Sequence, residues 1–153
     1  MMEMDRALFK HSSRVTVRNY EIDWQGIVHN AMYLCYFEVG RISYLENLGI
    51  MINIGSIQTD FRIVVVRNEI DYRTPARFGE ELQVLTRISG IRNSSFTFEG
   101  ILEEAATRRR VAENVSVHAL LDPSGRSSVP LDDAFRQRVR AFEGPNVNIA
   151  SPK

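Results

Sequence analysis

The feature that most constrains the fold is a change of hydrophobic period along the chain. Residues 31–48 contain no proline and carry apolar side chains on several faces of a helix, with Tyr33, Phe37 and Tyr44 on one line and Cys35, Val39 and Ile42 on another. A helix that is apolar on most sides is expected to be buried. Asn30 is placed to cap its start and Gly49 to stop it. Beyond it, residues 61–72, 80–89, 94–103 and 109–121 alternate instead, as in Val66, Asn68, Ile70 and Tyr72. Breaks fall at Pro75 and Gly79, at 90–93, and at Asp122-Pro123-Ser124-Gly125, and connections this short suit an antiparallel meander. A short strand precedes the helix, with Val15 and Val17 alternating with Thr16 and Arg18 and ending near Tyr20. The pattern predicts an α+β fold in which a curved antiparallel sheet wraps a long central helix.

At 153 residues the chain fits one domain, read as 1–143, with 144–153 as a flexible tail. Leu131, Phe135, Val139 and Phe142 predict a short closing helix with Arg136, Arg138 and Arg140 outside, and residues 50–60 read as a connector with one turn of helix. One sheet of this size cannot cover the helix on every side. The uncovered helix surface and the long edge strand at 61–72 predict at least a dimer.

Nineteen basic residues balance nineteen acidic ones, so no overall positive field draws the chain to nucleic acid or to an anionic membrane. The longest apolar runs, such as 63–66, are far short of the roughly 20 residues that span a bilayer. A single cysteine, Cys35, excludes an internal disulfide and reads as a small buried hydrophobe. With residues 1–11 lacking an apolar secretory run, a cytoplasmic setting is expected. Three histidines and one cysteine show no metal-ligand spacing, and no cofactor is expected.

Chemistry concentrates in Asp23-Trp24-Gln25-Gly26-Ile27-Val28-His29-Asn30-Ala31-Met32-Tyr33-Leu34. A carboxylate in a loop leads through a glycine into the start of a helix, where unpaired N–H groups carry partial positive charge. Such donors suit an oxygen that becomes negative in acyl transfer, and Asp23 could attack the acyl carbon or deprotonate a water that does. Gly26 allows close backbone approach, Tyr33 and Phe37 offer walls for an acyl group, and Glu38 lies one to two turns further in. On its own, an Asp ahead of a glycine is simply a turn residue. Glu38 is read as a secondary acid or as the partner of Arg41 or of a neighbouring subunit, and His29 as a supporting group.

This segment resembles the Asp-x-x-Gly-x-Val signature of the 4-hydroxybenzoyl-CoA thioesterase family, including the bacterial thioesterases associated with the Tol-Pal system. The resemblance runs in order over residues 14–135 through Tyr33-Leu34, Phe37-Glu38, Arg41, Leu48-Gly49, 72–77, 92–98 and 122–130. It implies a hot-dog dimer or tetramer that hydrolyses acyl-CoA, or an acyl-carrier-protein thioester, at a subunit interface without metal or cofactor. By that resemblance Asp23 is nucleophile or general base, and the backbone N–H of Asn30, with Ala31, polarises the carbonyl. Arg92, Ser94 and Ser95 fall in the turn that meets the pantetheine and nucleotide. Many bacterial members have Tyr-His where this chain has His29-Asn30, which leaves the histidine one place away.

Two other functions compete. A hot-dog hydratase or dehydratase would need its histidine-led motif, which is absent, and a non-catalytic acyl-CoA or acyl-carrier binding module would have no use for Asp23. No Gly-x-Ser-x-Gly elbow points to a serine hydrolase.

Overall fold

The computed structural model describes residues 3–50, 62–151 and 153. The expected reading of residues 51–60 therefore lies outside the described residues. Among the described residues, six strands, β1 (His11–Thr16), β2 (Arg62–Tyr72), β3 (Glu81–Ile91), β4 (Ser95–Glu104), β5 (Arg110–Leu121) and β6 (Asn148–Ile149), accompany two α-helices, α1 (Met32–Asn47) and α2 (Asp133–Glu143). The sheet order is β1-β3-β4-β5-β2, and α1 lies on the face formed by β1, β3 and β4. This is the α+β sheet-around-helix arrangement that the change of period predicts.

Only part of the expected meander is present. β3, β4 and β5 follow one another by short turns, but β2 crosses the molecule to pair antiparallel with β5, Ile70 opposite Asn114 and Tyr72 opposite Ala112. Among the described residues β2 is thus a free edge, and Val64, Val65 and Val66 on it are exposed. Its register slips between Val65 and Arg67, as that of β3 slips between Ile88 and Gly90.

Helix and sheet touch closely because two glycines remove side chains between them. A Cβ on Gly40 would lie 2.6 Å from Thr86 Oγ1 and from Val84 Cγ1, and one on Gly100 would lie 2.7 Å from Phe37 Cδ1. The Phe37 ring fills the space over Gly100 and is fully buried, which stabilises the fold by about 1.5–3 kcal/mol. At its far end α1 stops as expected: Gly49 has φ +81°, its N–H reaches Glu46 O and that of Ile50 reaches Leu45 O, the paired bonds of a left-handed stop.

Four expectations are corrected. α1 is not buried on all sides: Leu34, Cys35, Glu38, Val39 and Ile42 are exposed, so Cys35 is no core residue. Asn30 does not cap the helix: the N-cap is Ala31, already helical in φ and ψ, and the Met32 N–H that an Asn30 side chain would meet donates to His29 O instead. Arg136 of α2 points inward, donating to the carbonyls of Leu131, Arg92, Asn93 and Ala150. Residues 144–149, read as part of a tail, form a 3-10 turn and then β6, which pairs parallel with Gly90 and Ile91 of β3 while Val147 is buried. Val147 and Ile149 are apolar side chains with a sheet edge to cover.

Candidate active site

The loop ahead of α1 is held from both sides. Ile22 bridges to Val28 and Ile27 to Arg77, while Val28 N–H donates to Ala76 O at 2.8 Å and His29 N–H to Glu21 O at 2.9 Å. Between these anchors the chain makes one tight turn. Asp23 N–H donates to Ile27 O at 2.8 Å, Gly26 N–H returns to Asp23 O at 3.0 Å, and Asp23 Oδ1 accepts from Gln25 N–H at 2.7 Å. Gly26 has φ +82°, a conformation costly for any side chain with a Cβ, and nothing lies within 4 Å of where a Cβ would be. The turn leaves Asp23 half-buried and Trp24 92% exposed.

Of the two donors expected at the entry to α1, Asn30 and Ala31, one is free among the described residues. Met32 N–H is used by His29 O at 2.9 Å and Ala31 N–H by His29 Nδ1 at 3.2 Å, whereas Asn30 N–H has no partner among the described residues. The expected pair of donors therefore reduces to Asn30, and His29 acts as a local brace with Nδ1 unprotonated. The Asn30 carbonyl accepts from Tyr72 Oη at 3.0 Å, which holds the Asn30–Ala31 peptide, the one next along from the peptide that carries Asn30 N–H. Tyr72 stands edge-on to Tyr33, ring centres 5.3 Å apart, and Tyr33 Oη in turn accepts from Ala76 N–H at 3.2 Å.

Asp23, Gly26, His29, Asn30, Ala31 and Tyr33 thus gather at one end of the molecule. Phe37 is within the core, and Glu38 lies on the open face of α1. Arg92, Ser94 and Ser95 are elsewhere. They line a cleft of about 510 Å3 with Asn93, Ala150, Ser151 and Lys153 at the far end of β3. β3 starts beside the Asp23 loop, where Val17 N–H meets Glu80 O, and runs about 30 Å before the Arg92 turn. One chain does not bring that turn to Asp23. Near the start of β5, Arg109 forks onto Glu80 and Arg110 pairs with Glu113.

Tyr72 was not singled out for a role by sequence reasoning. Its place in Tyr72-Arg73-Thr74-Pro75 was visible, but a bond to a backbone carbonyl 42 residues away leaves no local signal. Nor was the polar strip on the helix-facing side of β5, where Asn114, Ser116 and His118 are buried under α1 beside Arg41. Burial, with the Arg41 charge nearby, holds the His118 pKa down at about 4. Among the described residues no group of three His, Cys, Asp or Glu side chains could hold a metal ion, and no helix is long and apolar enough to cross a membrane.

A curled antiparallel sheet around one helix, with a carboxylate loop running into that helix, is the architecture of hot-dog proteins. The family model described as the thioesterase-like superfamily matches residues 17–139, and the chain belongs to that superfamily. An acyl-acyl carrier protein thioesterase of Arabidopsis thaliana is 30% identical over 112 residues, 73% of this chain and 59% of the relative. An acyl-CoA thioesterase of Haemophilus influenzae is 31% identical over 85 residues, covering 56% of this chain and 62% of the relative. The chain thus spans less than two thirds of the length of these curated relatives. Among solved structures, a thioesterase of Thermus thermophilus complexed with coenzyme A and Zn is 33% identical with a TM-score of 0.77, covering 89% of this chain and 96% of that one.

Proposed function

We propose that this chain is a thioester hydrolase that releases a carboxylic acid and CoA from acyl-CoA. The observation that carries the reading is the half-buried Asp23 at the same end of the molecule as the Asn30 N–H, which has no partner among the described residues. A thioester carbonyl oxygen hydrogen-bonded by Asn30 N–H gains negative charge as its carbon is attacked, and a fixed donor stabilises that charge without reorganising. Asp23 acts at the carbon by one of two balanced routes. As base it takes a proton from water whose oxygen bonds to the acyl carbon, the C–S bond breaks, and the thiolate takes up a proton. As nucleophile its oxygen forms an anhydride, expels the thiolate, and water then frees the acid.

The choice of CoA is supported by the complex of the Thermus thermophilus relative, while the Arabidopsis thaliana relative favours an acyl-carrier-protein thioester as the second reading. We also propose that the working unit is a pair of chains. β2 has one unpaired side, and α1 exposes Leu34, Val39 and Ile42. Two β2 strands joined antiparallel would set the two α1 helices antiparallel, so that the Arg92 turn of each copy comes to the Asp23 end of the other. That arrangement gives Arg92, Ser94 and Ser95 a place at the CoA phosphates.

The test is thiol release from a panel of acyl-CoA and acyl-carrier-protein esters, aromatic, short and long, with chelator present. Turnover of at least one ester is expected. No release from any of them, with binding retained, would make the chain an acyl-thioester binding module.

A further inference from the structure

Glu38 and Arg41 are opposite charges one turn apart on α1 that do not touch. Glu38 is exposed, and no described base lies within ion-pair distance of it. Arg41 is only 8% exposed, and its sole hydrogen bond among the described residues is to Asn114 Oδ1, long at 3.5 Å. No described carboxylate comes within 4 Å of it. A guanidinium taken out of water without an anion is costly, and burial pulls its pKa down, with Glu38 opposing only at longer range.

The sheet says where an anion can come from. Arg41 reaches Asn114, and the Asn114 amide donates to Asn68 Oδ1 and to Glu69 O at 2.8 Å on β2. Arg41 is therefore level with Asn68–Ile70, in the C-terminal half of the edge strand Arg62–Tyr72. A two-fold axis through an antiparallel β2–β2 junction turns the α1 helices antiparallel on one face of the joined sheet. In such a contact each residue meets its counterpart reciprocally. For Glu38 to meet Arg41 of the second copy, the axis must pass between Val39 and Gly40. Leu34 and Glu38 lie on the same side of α1 as Arg41, the side toward β5 and β2, because residues three and four apart share a helix face.

Resting on the two-chain reading above, we infer that Glu38 of each copy neutralises Arg41 of the other, forming two equivalent ion pairs that lock the register of a homodimer. Glu38 then has an interface role, and the exposed charge of one chain completes the buried charge of its twin.

The test is sedimentation of the full chain as wild type, Glu38→Gln and Glu38→Arg, followed by both substitutions in an Arg41→Met background. Each close pair is expected to contribute at least about tenfold to dimer affinity, so Glu38→Arg should raise the dissociation constant about a hundredfold and Glu38→Gln by less. In the Arg41→Met background the Glu38 changes should add little, since the paired effects are not additive. A penalty of the same size in that background overturns the pair. Should Arg41→Met not fold, the Glu38 series decides alone, and dissociation constants unmoved by both changes overturn it. A wild-type chain that is monomeric at all concentrations removes the two-chain reading itself, whereas a dimer indifferent to Glu38 removes only the ion pair.

Discussion

Tyr72 Oη donates to the backbone carbonyl of Asn30 at 3.0 Å, tying the end of the edge strand to the peptide that precedes α1. The bond fixes the Asn30–Ala31 peptide, and so restrains through the Asn30 Cα the preceding peptide, whose N–H has no partner among the described residues. Tyr72→Phe removes one hydrogen bond of about 0.5–1.5 kcal/mol. Turnover should fall about threefold to tenfold with the fold intact, measured as kcat for thiol release alongside circular dichroism. Unchanged kcat would mean that the Asn30 peptide needs no such restraint.

Asp23→Asn keeps the side chain's shape and its acceptor for Gln25 N–H while removing charge and basicity. Folding should survive, and kcat should fall at least about a hundredfold, the lower scale of a general-base contribution. Substrate affinity should change much less. Near-normal turnover in a folded variant would return Asp23 to the role of a turn residue.

Arg92→Ala should raise KM for CoA esters and leave kcat nearly unchanged, because a phosphate contact remote from the carbonyl stabilises substrate and transition state alike. Steady-state kinetics on one CoA ester and on the matching N-acetylcysteamine ester, which lacks the nucleotide, separates the effects. An equal loss on both would place Arg92 outside the nucleotide site.

His118 is buried between Phe96 and Phe98, and its folded-state pKa of about 4 lies below the ordinary histidine value. Between those values the unfolded chain binds more protons than the folded one. The stability due to neutral His118 is therefore complete above about pH 6.5 and is lost as pH falls toward 4, by at most about 3 kcal/mol. Denaturant midpoints should drop across that window in the wild type and drop less in His118→Leu. Parallel profiles would show that other groups govern acid sensitivity.

Gly40→Ala puts a methyl group where Thr86 Oγ1 and Val84 Cγ1 already stand. The gain in helix propensity, about 1 kcal/mol, should be outweighed by overpacking of about 1–3 kcal/mol. A lower melting temperature is expected, and a higher one would show that α1 can lift off the sheet freely.

The elements legible in the sequence were those written by local rules. Alternation marked β3, β4 and β5, and Gly49 marked the helix stop, because period and φ are properties of neighbouring residues. The partner of β2 was not legible, since pairing with β5 rather than β3 is decided by sheet topology. Cys35 and Val39 looked like core because an apolar helix face reads the same whether its cover is the same chain or another. At the site, Asp23 and Gly26 were readable from their order, but the competition of the His29 ring for Ala31 N–H was not. Arg136 looked exterior by charge, yet the four carbonyls of Leu131, Arg92, Asn93 and Ala150 draw it inside.

The placement of β2 beside β5 also sets an order of events at synthesis. Hairpins β3–β4 and β4–β5 close over short loops and can form early, whereas β2 must wait for a strand that begins at Arg110 and β1 for one that begins at Glu81. Until β5 leaves the ribosome, Val64, Val65 and Val66 have neither side paired, and a three-valine run in that state is a site for pairing with the wrong chain. Slower elongation between the codons for β2 and β5 should therefore lower the soluble yield, even though the finished protein is unchanged.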